Sequence, residues 1–168
     1  MKKLILILCS LFFIFSIYPP LSFGETSLKF IKGKIKVIDG DTIKINRISI
    51  RLFGIDAPEK NQICVKKKKN YSCGTIATEF LKKYAGGEKI TCRYTEKDRY
   101  GRIIGTCYFT FDNSKLSLNR YMVHKGHAVA YKRYSDKYLD SEKLAKEKEL
   151  GMWQGNFERP EKWRRKSK

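Results

Sequence analysis

The sequence predicts an α+β fold: five strands rolled into a small barrel, with three α-helices against it. Three observations carry this. Runs that alternate apolar and polar residues cluster before position 111, helical spacing appears mainly after it, and turn residues separate the runs at short intervals. Phe30 to Ile38 sets Ile31, Ile35 and Val37 on one face and gives the first strand. Asp39-Gly40 supplies a tight turn. Ile43 and Ile45, then Ile48, Ile50 and Leu52, form strands two and three, joined at Asn46-Arg47. Asn61 to Ser72 shows no apolar period and contains Lys66-Lys67-Lys68-Lys69, which reads as an exposed loop. Ile76, Ala77, Phe80, Leu81 and Tyr84 then recur at helical spacing, and Gly86-Gly87 ends that helix.

Lys89 to Thr95 and Arg102 to Phe111 read as strands four and five around Asp98-Arg99-Tyr100-Gly101. A second helix is expected from Lys115 to Lys125, with Leu118, Tyr121 and Met122 inward and Gly126 as its stop. The third is expected from Ser135, as N-cap, to Gly151. Beyond it Trp153, Phe157 and Trp163 read as anchors of a polar tail. Strands grouped first and helices placed mostly after the fifth strand fit a five-stranded β-barrel of OB type.

Met1-Lys2-Lys3, the apolar run Leu4 to Ile17 and the small-residue site Ser22-Phe23-Gly24 describe a secretory signal peptide over residues 1–24. Pro19-Pro20 interrupts the run short of the about 20 apolar residues that a membrane span needs. An exported protein, secreted or periplasmic, is therefore expected, with no stable membrane association after cleavage. Residues 25–168 make a single domain, expected to be a monomer. Lysine and arginine number 36 against 17 aspartate and glutamate, a formal charge of +19, or +17 without Lys2 and Lys3. Such a charge favours a polyanionic partner, nucleic acid ahead of an anionic membrane surface. It would equally serve a secreted protein as an aid to solubility.

Cys9 falls within the signal, leaving Cys64, Cys73, Cys92 and Cys107. Export and an even count argue for two disulfides, with three connectivities open. Cys92 and Cys107 are symmetric about Arg99-Tyr100, so a hairpin turning there sets them opposite one another, and Cys64 and Cys73 then close the basic loop. A zinc site is the rival, but no Cys-x-x-Cys pair occurs and only His124 and His127 could assist, for which no catalytic role is assigned.

The densest chemistry lies between positions 38 and 59. Asp41, Asp56 and Glu59 are hard oxygen donors unsupported by histidine or thiol, which points to calcium or magnesium rather than a softer ion. Two direct carboxylates are few for calcium, so binding should be weak alone and stronger with substrate. Arg51, of opposite parity to its apolar neighbours, points away from the core, and Arg51 and Arg102 offer planar forks for a phosphate. A cation, guanidinium groups and a carboxylate that handles water are what phosphodiester hydrolysis requires.

These residues resemble the staphylococcal nuclease (thermonuclease) family. The matching pieces are Asp39-Gly40-Asp41-Thr42, Arg51-Leu-Phe-Gly-Ile-Asp56-Ala-Pro-Glu59, Asp98-Arg-Tyr-Gly-Arg102 and Gly151-Met-Trp153, together running from about Lys29 to Trp153. The resemblance implies an OB-type barrel with three helices and calcium-dependent cleavage of DNA and RNA with low sequence specificity. It implies Asp41, Asp56 and the backbone carbonyl of Ala57 as calcium ligands, Glu59 as general base, and Arg51 and Arg102 as catalytic arginines. Arg99, Tyr100 and Tyr131 match positions that contact nucleotide. The chain departs from the pattern at Ala57, where the family has threonine, and at Tyr134, which lies one position late with Arg133 in the expected place. The cysteines belong to a branch of the family. The rival is a catalytically inactive nucleic-acid-binding OB module, yet all five polar site residues are present.

Overall fold

The computed structural model describes residues 27–111 and 113–167; the expected signal peptide lies outside the described residues. Five strands build the barrel: β1 (Lys29–Val37), β2 (Thr42–Ile45), β3 (Ile48–Leu52), β7 (Lys89–Lys97) and β8 (Ile103–Phe111). They are ordered β3-β2-β1-β7-β8, antiparallel throughout, and a parallel β3–β8 pairing closes the sheet on itself. This is the mixed, OB-like barrel the sequence predicts. Ile43, Ile45 and Ile50 fill its interior with no exposed surface, as their alternation requires. Each contributes about 1.5–3 kcal/mol of apolar burial. Short pairs surround the barrel: β4 (Ile55–Asp56) with β10 (Val129–Ala130), and β5 (Cys64–Lys66) with β6 (Lys69–Tyr71).

Among the described residues there are four α-helices rather than the three expected: α1 (Cys73–Ala85), α2 (Leu118–His124), α3 (Leu139–Glu147) and α4 (Pro160–Lys166). The fourth is seven residues long and mostly charged, too short to show an apolar period. Its start is nevertheless written in the chain, with Pro160 at the first turn, Glu161 beside it and Arg164, Arg165 and Lys166 at the far end. α3 starts at Leu139, past Ser135, because the Ser135 hydroxyl accepts the Lys137 N–H at 3.1 Å and caps a local turn instead. Residues 114–117 pair with β8 as a further strand, β9 (Ser114–Ser117), so α2 begins only at Leu118. Ser117 caps it by accepting the Arg120 N–H. Among the described residues no helix is long and apolar enough to cross a membrane.

The stretch expected as a loop at 61–72 contains a hairpin. Lys67 and Lys68 both take positive φ (49° and 63°), the geometry of a two-residue turn, without the Asn-Gly signal that usually marks one. Cys64–Cys73 ties the hairpin to α1, and reciprocal 2.8 Å backbone hydrogen bonds join Val65 to Asn156 near the C-terminus. Cys92 and Cys107 are direct register partners on β7 and β8 and are bridged. Where α2 meets the barrel seam, fully buried Asn119 accepts the Cys107 N–H and donates to the carbonyls of Phe53 and Gly105, at 2.9–3.1 Å. An apolar residue there would strand the Cys107 N–H and the Phe53 carbonyl, while the Gly105 carbonyl would keep the Phe53 N–H.

His127 stacks on Phe80, ring centroids 3.9 Å apart, and burial pushes its pKa down to about 4. The unfolded chain takes up that proton near pH 6.5 and the folded chain only near 4, so this residue subtracts stability as pH falls between those values. Wild-type protein should lose of order 2 kcal/mol across that window relative to His127→Phe, measured by urea unfolding at pH 7 and pH 4.5. Parallel losses in the two proteins would contradict it.

Candidate active site

Asp41 lies in the turn that leads into β2, and Arg51 on β3 is the register partner of its neighbour Thr42. Asp56 is on β4, held by antiparallel pairing with Val129. These local arrangements let the two nitrogens of one guanidinium span two acids: Arg51 Nη1 donates to Asp41 Oδ1, and Nη2 to Asp56 Oδ1 at 2.9 Å. The Ala57 N–H donates to Asp41 Oδ2 at 2.8 Å, closing the turn around the first carboxylate. Both acids are nearly inaccessible (3% and 1%), whereas the Glu59 side chain is 36% exposed. Two carboxylates are thus built in and one faces solvent.

The electrostatics follow from burial. Loss of solvent pushes the Asp56 carboxyl above its ordinary range, against the pull of its arginine partners. Burial also disfavours the charge on Arg51, but Asp41 and Asp56 outweigh it and hold the guanidinium more firmly protonated than usual. Asp39 donates no charge freely either: burial, then the neighbouring Asp41, raise its pKa to about 6.

Glu59 is positioned from behind. Fully buried Gln62 accepts the Glu59 N–H through Oε1 at 3.3 Å, returns its own N–H to the Glu59 carbonyl at 2.7 Å, and donates Nε2 to the Glu158 carbonyl at 2.7 Å. Gly74, at the start of α1, passes so close that a Cβ there would lie 1.7 Å from the Glu59 carbonyl oxygen. Gln62 gave no signal in the sequence beyond being a polar residue between turn residues.

Arg102 directly precedes β8, two residues before Ile104, the register partner of Arg51. Its Nε pairs with Asp98 Oδ2 at 2.8 Å, and its guanidinium lies 5.6 Å from the exposed Tyr100 ring, which Arg99 also approaches at 5.4 Å. The guanidinium that reaches the remaining acids is that of Arg164 on α4. It donates Nη2 to Asp56 Oδ2 at 3.0 Å, and its Nη1 lies 2.9 Å from both Asp56 Oδ1 and Glu59 Oε1. Burial opposes its charge, yet Asp56 and Glu59 raise its pKa further. Tyr131 sits at the same mouth, its N–H bonded to the Gly54 carbonyl and its ring in an edge contact with Tyr134 at 4.8 Å. Burial and the negative charge of Asp56 raise its phenol.

Among the described residues no three His, Cys, Asp or Glu side chains form a ready metal cage. The donors that are present, two buried carboxylates already compensated by cationic groups, fit a hard, oxygen-seeking divalent ion completed by backbone, water and substrate oxygens.

The structure thus defines an OB-type barrel with a carboxylate–guanidinium cluster at its mouth. A family model described as Staphylococcal nuclease homologue matches residues 49–155, and the chain belongs to that family. It is 35% identical over 149 residues to a protein of Shigella flexneri named micrococcal nuclease, covering 80% of each chain. It is 34% identical over 130 residues to an uncharacterized endonuclease of Escherichia coli, covering 73% of this chain and 77% of that one. A third relative, at 35% over 133 residues, is the succinoglycan biosynthesis protein ExoI of Rhizobium meliloti, covering 76% and 67%. The extended Tudor domain of Drosophila melanogaster Tudor-SN (p100) shares the fold, with a TM-score of 0.50, 14% identity and coverage of 90% and 87%.

Proposed function

We propose that the chain is an exported, calcium-dependent endonuclease that hydrolyses phosphodiester bonds in DNA and RNA with low sequence preference. The observation that carries this reading is the Arg51 fork shared by two buried aspartates beside a solvent-facing glutamate. The names of the nuclease and endonuclease relatives support it. Asp41, Asp56 and the Ala57 carbonyl would hold calcium, which supplies a positive charge against the phosphoryl oxygens when bound. Arg51 stabilises charge that grows on those oxygens. Glu59 orients the attacking water and takes its proton as the water oxygen bonds to phosphorus and the P–O5′ bond breaks, the departing 5′ oxygen taking up a proton from solvent. Arg102 joins the phosphate from the rim, while Arg99, Tyr100 and Tyr131 grip sugar and base. Two disulfides support an oxidising destination, outside the cell or in a periplasm. The domain over 25–168 acts as a monomer once residues 1–24 are removed.

Purified protein should cleave both DNA and RNA in calcium, lose at least 99% of that activity in chelator and regain it on calcium addition. Cleavage indifferent to chelator would refute the metal dependence, and tight binding without cleavage would leave a binding module.

The exposed Lys66–Lys69 hairpin serves this reading as an electrostatic grip. Replacing Lys67-Lys68 with Asn-Gly suits the turn's positive φ, so the hairpin persists while two charges vanish. The slope of log affinity for duplex DNA against log salt should then flatten by about 2. An unchanged slope would make the lysines mere solvation.

A further inference from the structure

Of the two acids that would hold a divalent ion, Asp56 is occupied by the protein's own C-terminal helix. Asp56 has no oxygen left uncontacted by arginine: Oδ1 faces Arg51 Nη2 and Arg164 Nη1, each at 2.9 Å, and Oδ2 accepts Arg164 Nη2 at 3.0 Å. Glu59 Oε1 is held by the same Arg164. Calcium takes carboxylate lone pairs directly, at about 2.3–2.6 Å. An ion at that distance from Asp56 would press against the Arg164 guanidinium, so both cannot use the carboxylate in this arrangement.

Charge points the same way. Asp41, Asp56 and Glu59 carry −3 and Arg51 with Arg164 +2, leaving −1. Adding a divalent ion to this set gives +1, whereas exchanging Arg164 for the ion gives 0. The tail is also built for exchange. Its anchor is at the start of α4, where Arg159 bonds Glu142 and the Ala130 carbonyl at 2.9 Å and Pro160 is buried. Arg164 sits in the last turn beside Arg165 and Lys166, whose side chains are 68% and 74% exposed. It can leave the acids without unmaking that anchor.

We propose that α4 is a latch: Arg164 fills the cation position of the resting site, and a divalent cation must displace it from Asp56 and Glu59. The inference rests on the calcium reading above and concerns what that ion competes with. Calcium titrations by calorimetry on wild type, Arg164→Gln and Arg165→Gln test it, alongside hydrogen exchange of the residue 161–166 amides in wild type with and without calcium. Arg164→Gln should bind calcium at least fivefold more tightly, Arg165→Gln should match wild type, and saturating calcium should speed exchange across α4. Equal or weaker binding by Arg164→Gln, an equal gain in Arg165→Gln, or unchanged α4 exchange at saturation would each overturn the latch while leaving the calcium reading intact. Absence of calcium binding in all three proteins, with cleavage unaffected by chelator, would overturn that reading and the latch together.

Discussion

Arg51→Lys is expected to lower DNA cleavage about 10³-fold while the protein stays folded. Lysine keeps the positive charge but not the fork, and in this site the fork is what joins Asp41 to Asp56. A single ammonium cannot hold both acids in register and also present donors to a phosphate. Arg51→Gln should lose as much activity and stability as well, by about 3 kcal/mol, because it leaves the buried Asp41 without its cation. Arg164 keeps Asp56 paired, which holds the loss near the lower end for a broken buried ion pair. Calcium should return part of that stability by binding the folded state. Steady-state cleavage and urea unfolding with and without calcium measure both effects. More than a tenth of wild-type activity in Arg51→Lys would remove Arg51 from the chemistry.

Glu59→Gln should reduce the catalytic rate by about 10²–10⁴-fold, the range for a residue that handles a proton in the transition state. The amide preserves size and can still accept a hydrogen bond, so the Gln62 and Gly74 contacts to the residue 59 backbone should persist. The pH–rate profile gives a sharper readout than rate alone. If Glu59 handles the proton in the transition state, the acidic limb of that profile should flatten in the variant. A profile that keeps its shape at reduced height would assign the limb to another group and Glu59 to positioning.

The part of this site contributed by residues 41–59 was legible because it is local. Asp41, Arg51, Asp56 and Glu59 fall on adjoining strands and turns, where alternation and turn chemistry specify both element and direction. The barrel was legible for the same reason, and the opposed cysteines at 92 and 107 set its second hairpin in register. What escaped depends on distance or on short elements. Arg164 lies 105 residues from Glu59 and 108 from Asp56, and no periodic pattern reaches across that separation. Gln62 acts through backbone groups, which leave no trace in residue type. The Lys67-Lys68 turn forms without its usual residues because β5, β6 and the disulfide hold it from outside. Arg102 was placed on the correct strand edge, but its partner Asp98, four residues away, competes for its guanidinium.

The parallel seam between β3 and β8 bears on when this protein acquires its chemistry. The seam pairs residues 50–52 with 103–105, whereas the β1–β2–β3 and β7–β8 turns join neighbours in the chain. Contacts of long sequence separation form against a larger entropic cost and tend to come late in folding. Arg51 lies on that seam, and Arg102 just before it. A newly made chain would therefore carry Arg51 and Arg102, the proposed phosphate-binding groups, apart until the barrel shuts. Under the proposed reading of an exported nuclease, slow closure is a form of timing.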